Sequence, residues 1–296
     1  MPQASSSSAS GRRGMVGERA AEDTIVSVER AFEIVAILAD AAEGASLADI
    51  ARHLDVNKAI AVKLLATLER LGIVWRDDVA QRYNLTYRIS NLGLRQLQKT
   101  RLLDQSAAVL KALAEDTGEL VRLAVVENGD RITWVYAVSG SKRSLQIDPN
   151  YTLDAFLHTT AIGKSWLSTL PFETALKHML RQGMKPMTKH TKTSSKAIRA
   201  DLEQTRKRGY ATSFEETELG VIAIAAPITV TALTGARECV GAVSLAAPTN
   251  RMNARELVAC SPLLLATVAR LAQIWPLEPR TLRVLLNPRR TSSADS

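Results

Sequence analysis

Residues 46–72, SLADIARHLDVNKAIAVKLLATLERLG, predict two short helices that meet at a sharp turn. Ser46 and Asp49 have the spacing of a capping box, in which side chains bind the free amides of a helix start. Asn57 can cap the second helix. Asp55 stands in the turn, where glycine is usual because the backbone needs a positive φ, and aspartate tolerates that conformation at modest cost. The pattern is typical of a helix-turn-helix.

The segments on either side of residues 46–72 extend this pattern. Residues 25–40 place apolar side chains at helical spacing and predict a preceding helix. Residues 73–86 alternate apolar and polar side chains around a turn at 77–80, which predicts a hairpin. Three helices followed by a hairpin indicate a winged helix-turn-helix domain over residues 23–90. The residues expected to form the apolar stripe of the first helix are Val28, Phe32, Val35, Ile37 and Leu38.

A winged helix-turn-helix reads DNA with its last helix in the major groove and its wing on the phosphates. Residues 56–90 hold six Lys and Arg against three Asp and Glu, so the face that would meet DNA is locally positive. Each of these cations could equally be a solvating surface side chain, since only some basic residues of such a domain touch phosphate. The candidate DNA-binding residues are Asn57, Lys58, Ala59, Lys63, Arg76, Arg82 and Arg88.

The composition indicates an ordinary globular protein. A chain of 296 residues is long enough for two domains. No apolar run approaches the roughly 18 residues that a membrane span needs, and residues 1–22 are expected to be a disordered, serine-rich tail rather than a secretory signal. We therefore expect a cytoplasmic location. Cys239 and Cys260 have neither disulfide nor metal-site spacing and are expected to be buried.

The net charge of +8 says little about DNA, because its location matters more than its sum. Residues 1–90 hold eleven Lys and Arg against twelve Asp and Glu. The surplus lies in residues 177–208, where ten Lys and Arg accompany only Asp201 and Glu203. A charge run of this kind predicts a solvated helical face.

The second half of the chain predicts an antiparallel sheet with helices packed on it. Residues 91–117 carry leucines on one side and predict a long helix that links the domains. Strands in neighbouring pairs, with helices gathered between them over residues 118–276, indicate an α+β fold. Residues 277–296 are expected to be an irregular tail. The predicted strands are 119–129, 131–140, 210–214, 221–230 and 239–248, and the predicted helices are 160–170, 172–182, 195–208 and 254–274.

Residues 157–165, LHTTAIGKS, end like a phosphate-binding loop. Such a loop needs a glycine where His158 stands, and it must follow a buried parallel strand, which this segment lacks. A capped helix start is the better interpretation. It predicts that Thr159 or Thr160 caps the helix, that Gly163 is small so that the helix can approach the sheet, and that Lys164 faces solvent or a salt partner.

The sequence gives no enzyme signature. Glu215, Glu216 and Glu218 are crowded beside a predicted turn, where acidic side chains are usually solvated rather than catalytic. No nucleophile elbow or zinc-binding helix is present, and the four histidines lack metal-binding spacing. We therefore expect no catalytic residues, no metal and no cofactor.

The order of these elements resembles the IclR family of bacterial transcriptional regulators. The resemblance covers about residues 25–275. It is carried by SVERAFEIVAILAD, SLADIARHL, KLLATLERLGIVWRD and YNLTYRISNLG in the first domain, and by FLHTTAIGKSWLSTLP, RGYATSFEETELGVIAIAAPI and VGAVSLAAPTNRM in the second. It implies a GAF-like second domain that binds a small-molecule effector. It also implies homodimers, or dimers of dimers, on a pseudopalindromic double-stranded operator.

The resemblance also implies site residues, with departures from the family pattern. In the recognition helix Ala59 and Ile60 replace a usual Ser-Thr pair, and Lys63 replaces a usual Arg. Around the effector the lining is less polar than in members that bind small hydroxy or keto acids, which favours an aromatic or otherwise apolar carboxylic acid. The carboxylate is expected at the helix start, whose amides and positive partial charge suit an anion. The implied effector-binding residues are Ala161, Ile162, Ser213, Val221, Ala223, Ser244 and Ala246.

Two other functions remain open at this point. One is a small-molecule hydrolase or transferase built on the second domain. The other is an architectural DNA-binding protein without an effector, in which the small residues of the second domain only pack its core.

Overall fold

The structure is a computed structural model that describes residues 24–141, 147, 155–231 and 235–276. It consists of two compact units, which divide between Arg95 and Gln96. We call them the N-terminal unit and the C-terminal unit.

The N-terminal unit is a winged helix-turn-helix, as predicted. Ser46 caps the second helix by accepting a hydrogen bond from the Asp49 amide, at 3.2 Å. Asn57 caps the third helix by accepting one from the Ile60 amide, at 2.9 Å. The elements are α1 (Val26–Asp40), β1 (Ala45–Ser46), α2 (Leu47–His53), α3 (Lys58–Arg70), β2 (Val74–Asp77) and β3 (Arg82–Leu85), and the strands form an antiparallel sheet in the order β1-β3-β2.

The turn between α2 and α3 has the geometry that the sequence predicts. Asp55 has a φ of 49°, the left-handed conformation expected where glycine is usual. The apolar stripe of α1 is partly wrong, because Phe32 and Val28 are 67% and 50% exposed. Leu38 is buried and Ile37 packs against the core, as predicted, and Ile34, which the predicted stripe left out, is buried as well. The prediction therefore fails in the first half of α1 and holds in its second half.

The predicted linker helix is broken in two. The structure has α4 (Tyr87–Thr100) and α5 (Leu102–Thr117), separated by Arg101 in a left-handed conformation with a φ of 51°. The Thr100 hydroxyl contributes to the break, because it donates to the Leu97 carbonyl at 2.7 Å and accepts from the Leu102 amide at 3.3 Å. Neither Gly nor Pro marks this position in the sequence. In the described structure, α4 buries none of its side chains, whereas α5 buries an apolar face.

The C-terminal unit is built on a five-stranded sheet whose neighbouring strands are all antiparallel, as predicted. The strands are β4 (Leu120–Glu127), β5 (Arg131–Ser139), β6 (Ala211–Phe214), β7 (Val221–Thr231) and β8 (Arg237–Pro248), in the order β5-β4-β8-β7-β6. The helices are α6 (Ala161–Leu167), α7 (Phe172–Gln182), α8 (Ser195–Arg208), α9 (Ala254–Ala259) and α10 (Ser261–Ile274).

Helices cover both faces of this sheet. Ile222, Ile224 and Leu245 pack with α5 and α10 on one face, which we call the α10 face. Ala225 and Ala242 pack with α6, α7 and α8 on the other, the α6 face. The last helix, predicted as one segment, is interrupted at Cys260. Pro262 stands in the first turn of α10, where its missing amide costs no intrahelical hydrogen bond.

Candidate DNA interface and effector site

The start of α3 presents its candidate DNA-binding residues to solvent. Lys58, Ala59 and Lys63 are exposed. Asn57 is exposed too, but its side-chain oxygen is held by the Ile60 amide. Asn57 therefore orients the helix first, and only its amide nitrogen remains to donate to a phosphate or base.

The three candidate arginines on and after the wing have different surroundings. Arg76 is exposed, donates to Gln81 and lies over the Tyr83 ring, with 5.8 Å between the guanidinium carbon and the ring centre. Arg88 is also exposed. Arg82 is half-buried, and its register partner on β1 is Ser46. Arg76 and Arg88 are thus more accessible to a phosphate than Arg82.

The capping box at the start of α2 stabilises the Asp49 carboxylate. The pKa of the Asp49 carboxyl lies below its usual value of 3.8, chiefly because Ser46 donates a hydrogen bond to it, with smaller contributions from Arg52 and Arg82. This places the charge of Arg82 near the start of α2.

The sheet register brings the candidate effector residues onto the α6 face. Ser213 pairs with Ala223, and Ala223 pairs with Ala246, so these three form one row across β6, β7 and β8. Ser244 lies two residues before Ala246 and Val221 lies two before Ala223, so both share that face. The structure thus groups residues that are up to 33 positions apart in the sequence.

Helix α6 covers this face at its start. Thr160 caps the helix by accepting from the Gly163 amide at 3.1 Å, as predicted. Ala161 and Ile162 are each only 1% exposed and belong to the apolar cluster of the α6 face. Gly163 was expected to be small so that the helix could approach the sheet. The close neighbour is instead the Leu157 backbone, which would lie 2.6 Å from a β-carbon at position 163. The helix start is enclosed by apolar neighbours.

Lys164 has salt partners, one of the two predicted alternatives, and it lies inside a buried charge cluster rather than facing solvent. Its ammonium is 2.6 Å from a Glu216 carboxylate oxygen and 2.9 Å from an Asp201 carboxylate oxygen, and it donates to the Thr212 carbonyl at 3.1 Å. Lys192 contacts the same two carboxylate oxygens, at 2.9 and 3.2 Å. We call Lys164, Lys192, Asp201 and Glu216 the Lys164 cluster.

The electrostatics of the Lys164 cluster favour the charged form of Asp201, whereas burial leaves the pKa of Lys164 below its usual value of 10.5. Burial raises the pKa of Asp201, but the charge of Lys164 and hydrogen bonds from Lys164 and Lys192 outweigh it, so the pKa lies below its usual value of 3.8. Burial lowers the pKa of Lys164, and the two carboxylates oppose that shift. The expectation that Glu216 is solvated is wrong, since Glu216 is buried and paired. A carboxylate held between two lysines is poorly suited to general acid work.

These contacts also settle the resemblance of residues 157–165 to a phosphate-binding loop. Lys164, which would have to reach a phosphate, is 3% exposed and already paired with two carboxylates. His158 is buried where the loop needs glycine, and its Nε2 lies 3.0 Å from the Lys185 carbonyl. Through Lys164 the segment connects α6 to Asp201 of α8 and to Thr212 of β6, so it is not arranged to bind a nucleotide.

One residue on the α6 face was missed by the sequence analysis. Arg122 on β4 pairs in register with Ser244 on β8 and with Ala137 on β5. It is half-buried, and its guanidinium carbon lies 5.3 Å from the centre of the Trp134 ring. The available signal was a lone arginine inside the apolar strand segment ELVRLAVV.

The basic run of residues 177–208 is only in part a solvated face. Lys177, Lys196 and Lys207 are exposed, as predicted. Arg206 instead donates to the Ser168 and Leu170 carbonyls, each at 2.8 Å, and Lys192 belongs to the Lys164 cluster.

The cysteines and acidic side chains do not form a metal site in the described parts of the chain. Both cysteines are half-buried rather than buried. Burial raises the pKa of the Cys239 thiol to about 12, so it stays protonated and unreactive at neutral pH. Within the described ranges, no helix has the length and apolar character that crossing a membrane requires.

Two open clefts occur away from the α6 face. One, of about 450 Å³, lies beside the end of α10, and the other, of about 410 Å³, lies beside the ends of α5 and β5. The second contains the ion pair of Arg251 with Glu119, whose atoms approach to 2.5 Å. Neither cleft is lined by the candidate effector residues.

Two family models match the chain. The model described as the IclR helix-turn-helix domain matches residues 27–78. The model described as the C-terminal region of the bacterial transcriptional regulator IclR matches residues 94–273.

Individual proteins agree with these matches. The HTH-type transcriptional regulator BhcR of Paracoccus denitrificans is 32% identical over 253 residues, which cover 84% of this chain and 88% of BhcR. The crystal structure of the Thermotoga maritima IclR is 26% identical with a TM-score of 0.63, and the match covers 86% of this chain and 100% of that one. A double mutant of the PobR inducer-binding domain from Acinetobacter, in complex with 3-hydroxybenzoic acid, is 26% identical with a TM-score of 0.50, and the match covers 56% of this chain and 95% of that one.

The fold, the order of the two units and both family models agree. The chain belongs to the IclR family of bacterial transcriptional regulators.

Proposed function

We propose that this regulator binds a pseudopalindromic operator through α3 and the wing, and that a small carboxylic acid bound on the α6 face changes its operator affinity. The observation that carries the effector proposal is the row of small side chains formed by Ser213, Ala223 and Ala246 beneath α6. Because these side chains are short, a ligand that lay over them would have to displace α6 less than it would over larger side chains.

The chemistry of the lining supports an aromatic or otherwise apolar acid. The walls combine Ala, Val and Ile with the two serines Ser213 and Ser244, so they offer few hydrogen-bond partners to a highly polar ligand. The matching PobR domain is described in complex with 3-hydroxybenzoic acid, an aromatic acid. The mechanism further requires that the acid bind one arrangement of the regulator better than another, since equal affinity for both shifts nothing.

Thermal unfolding tests the effector proposal. The full chain would be heated with aromatic and aliphatic carboxylic acids, and an aromatic acid at a hundredfold excess over its Kd should stabilise the folded state by about 2.7 kcal/mol. Stabilisation by none of the acids would favour the architectural alternative, in which these small residues only pack the core. A gel shift with operator DNA, with and without the acid, then tests whether occupancy changes DNA affinity.

A homodimer or dimer of dimers on a pseudopalindrome predicts a footprint with two half-sites one helical turn apart, or a multiple of one turn. Protection of a single half-site would contradict that arrangement.

The hydrolase or transferase alternative has no support in the site. Glu216 is occupied by two lysines, and the named relatives are transcriptional regulators. The full chain can be assayed for esterase and acyltransferase activity. Activity that Glu216→Gln abolishes would support this alternative.

The Lys63→Ala variant is expected to weaken operator binding by roughly tenfold at low salt and to reduce the slope of log affinity against log salt by about 1, if Lys63 contacts a phosphate. Lys63 is exposed on α3, so the fold should not change. The matched control is Lys111→Ala, which removes an exposed lysine of α5. Equal effects of the two variants would remove Lys63 from the DNA interface.

A further inference from the structure

The imidazole of His158 is buried just before α6, and its two nitrogens have different surroundings. His158 is 1% exposed. Its Nε2 lies 3.0 Å from the Lys185 carbonyl oxygen, whereas its Nδ1 is buried and has no hydrogen-bond partner among the described residues. Because a carbonyl oxygen only accepts, Nε2 carries the hydrogen, and the neutral ring is left with a bare acceptor at Nδ1. Protonation of Nδ1 would turn this acceptor into a donor.

Charged side chains from two neighbouring elements act on this ring. Lys164 of α6 and Glu216, which follows β6, are both close enough to shift its pKa. The Thr217 hydroxyl donates to the Thr159 hydroxyl at 3.1 Å, which fixes the segment of Glu216 beside the segment of His158. The Oε2 atom of Glu216 is also buried without a hydrogen-bond partner in the described chain. A proton on His158 would therefore be added beside one carboxylate and one ammonium.

The interior around His158 has no net negative charge to receive that proton. The Lys164 cluster contains two lysines and two carboxylates, so its formal charges sum to zero. Burial has the largest influence on the pKa of His158 and places it below the usual value of 6.5; the Lys185 carbonyl and the Glu216 charge oppose this shift, and the Lys164 charge adds to it. His158 is thus neutral at pH 7, and its charged form is disfavoured inside the folded unit.

Residues 185–192 form an irregular segment, which we call the strap, and side chains attach it to this region. The carbonyl of Lys185 is bound by His158 at one end of the strap. Further along, two threonine hydroxyls donate to backbone carbonyls at 2.6 and 2.7 Å. These two bonds join Thr188 to Glu215 and Thr191 to Glu216. The first end of the strap therefore depends on a group that titrates, whereas the two threonines do not titrate.

The backbone of His158 is held more firmly than the strap. The Leu157 amide donates to the Gln182 side chain at 2.7 Å, and Thr160 caps α6 two residues after His158. The strap has no helix or strand of its own, and Lys185 is exposed. A charged ring that has to reach water therefore displaces the Lys185 end of the strap more readily than its own backbone.

We propose that His158 is a pH-sensitive latch. The neutral ring holds the Lys185 end of the strap against the segment that leads into α6, and protonation of Nδ1 releases this end so that the imidazolium is hydrated. Since the pKa of His158 is lower in the folded than in the unfolded chain, the stability that the neutral ring contributes is complete above the unfolded-state pKa and is lost as the pH falls through the folded-state pKa. Mild acid therefore opens the strap even without an effector.

The strap contains a second histidine whose effect has the opposite sign. His190 is exposed, and its Nε2 lies 3.9 Å from a Glu215 carboxylate oxygen. Protonation of His190 strengthens this pair, so it tightens the strap in acid rather than opening it. The direction of the change thus separates the two histidines.

Amide hydrogen exchange of the full chain, corrected for the intrinsic effect of pH on exchange, measures this opening. Between about pH 7.5 and about pH 5, the protection of residues 185–192 should fall roughly tenfold, the factor that one unit of pKa difference gives. In His158→Gln the side-chain amide can still donate to the Lys185 carbonyl but takes up no proton, so the protection should stay constant. His178→Gln is the matched control, because His178 is a partly buried histidine of α7 that lies 3.5 Å from Asp130, and it should keep the wild-type fall.

Nuclear magnetic resonance of the wild-type chain with ¹⁵N-labelled histidine provides a readout that needs no variant. His158 should carry its hydrogen on Nε2 at about pH 7.5, and its titration should have the same midpoint as the loss of strap protection. A hydrogen on Nδ1, or a different midpoint, would contradict the latch. So would an unchanged wild-type strap, an equal fall in His158→Gln, or a fall that His190→Gln or His178→Gln abolishes.

Discussion

Replacing Lys164 with methionine should lower the free energy of unfolding by about 3–5 kcal/mol, because it leaves two buried carboxylates with too little positive charge. Asp201 and Glu216 are 8% and 4% exposed, so water cannot solvate them in place of the ammonium. The lysine also donates to the Thr212 carbonyl, which would lose that partner. For a unit of this size, the melting temperature should fall by roughly 10 °C.

Acid should reduce this penalty. In the wild-type protein the pKa of Asp201 lies below 3.8, so its contribution to stability is present above that pH and is lost as the pH falls through the folded-state pKa. In Lys164→Met the uncompensated Asp201 carboxylate should take up a proton at a higher pH, which removes part of the buried charge. The difference in stability between wild type and variant should therefore shrink between about pH 7 and pH 4.

The control for Lys164 lies in the same cluster. Lys192 contacts the same two carboxylate oxygens, but its side chain is partly exposed and its charge is screened by solvent. Lys192→Met should cost no more than about 1 kcal/mol. Equal losses for the two variants, or a Lys164→Met penalty that does not depend on pH, would show that buried charge is not what Lys164 compensates.

Gly163→Ala should destabilise the protein by about 2–3 kcal/mol, although alanine is normally the better helix residue by up to about 1 kcal/mol. The added β-carbon would lie 2.6 Å from both the α-carbon and the carbonyl oxygen of Leu157. Both are backbone atoms, so they cannot rotate away as a side chain could. The start of α6 must move off the segment before it, which disturbs the cap that Thr160 provides.

Gly93→Ala is the matched control, since Gly93 lies inside α4 and no described atom would come within 4 Å of its new β-carbon. It should stabilise α4 by roughly 0.5–1 kcal/mol, the usual gain in a helix. Denaturant unfolding of both variants, followed by circular dichroism, measures the two changes. A stabilising Gly163→Ala would show that α6 can retreat from Leu157 at little cost.

Local signals predicted the elements well. Capping residues marked the starts of α2 and α3, and the bounds of α7 and α8 match the sequence prediction because clear starts and the terminal Gly183 and Gly209 frame them. The break at Arg101 could not be predicted, because a threonine side chain, rather than Gly or Pro, interrupts the helix.

The Lys164 cluster shows why the contacts of the candidate site were harder to predict from the sequence than the helices and strands. Lys164 meets Glu216 across 52 residues and Asp201 across 37 residues of sequence, a pairing that depends on how α6, α8 and β6 pack. In sequence, the lysine resembles a nucleotide-binding residue and the glutamate resembles a solvated one. For the same reason the position of Arg122 beside Ser244 became visible only once the register of β4 and β8 was known.

If the effector binds on the α6 face as proposed, the rows of alanine and serine there allow its specificity to be changed in small steps. Ala223 and Ala246 are direct cross-strand neighbours, so enlarging one and keeping the other changes the shape of the wall without altering the backbone. A series of Ala, Val and Leu at these two positions would enlarge the side chain by two carbons and then by one. Coupled to a fluorescent reporter, such a series would give a graded set of cellular sensors for acids of different size.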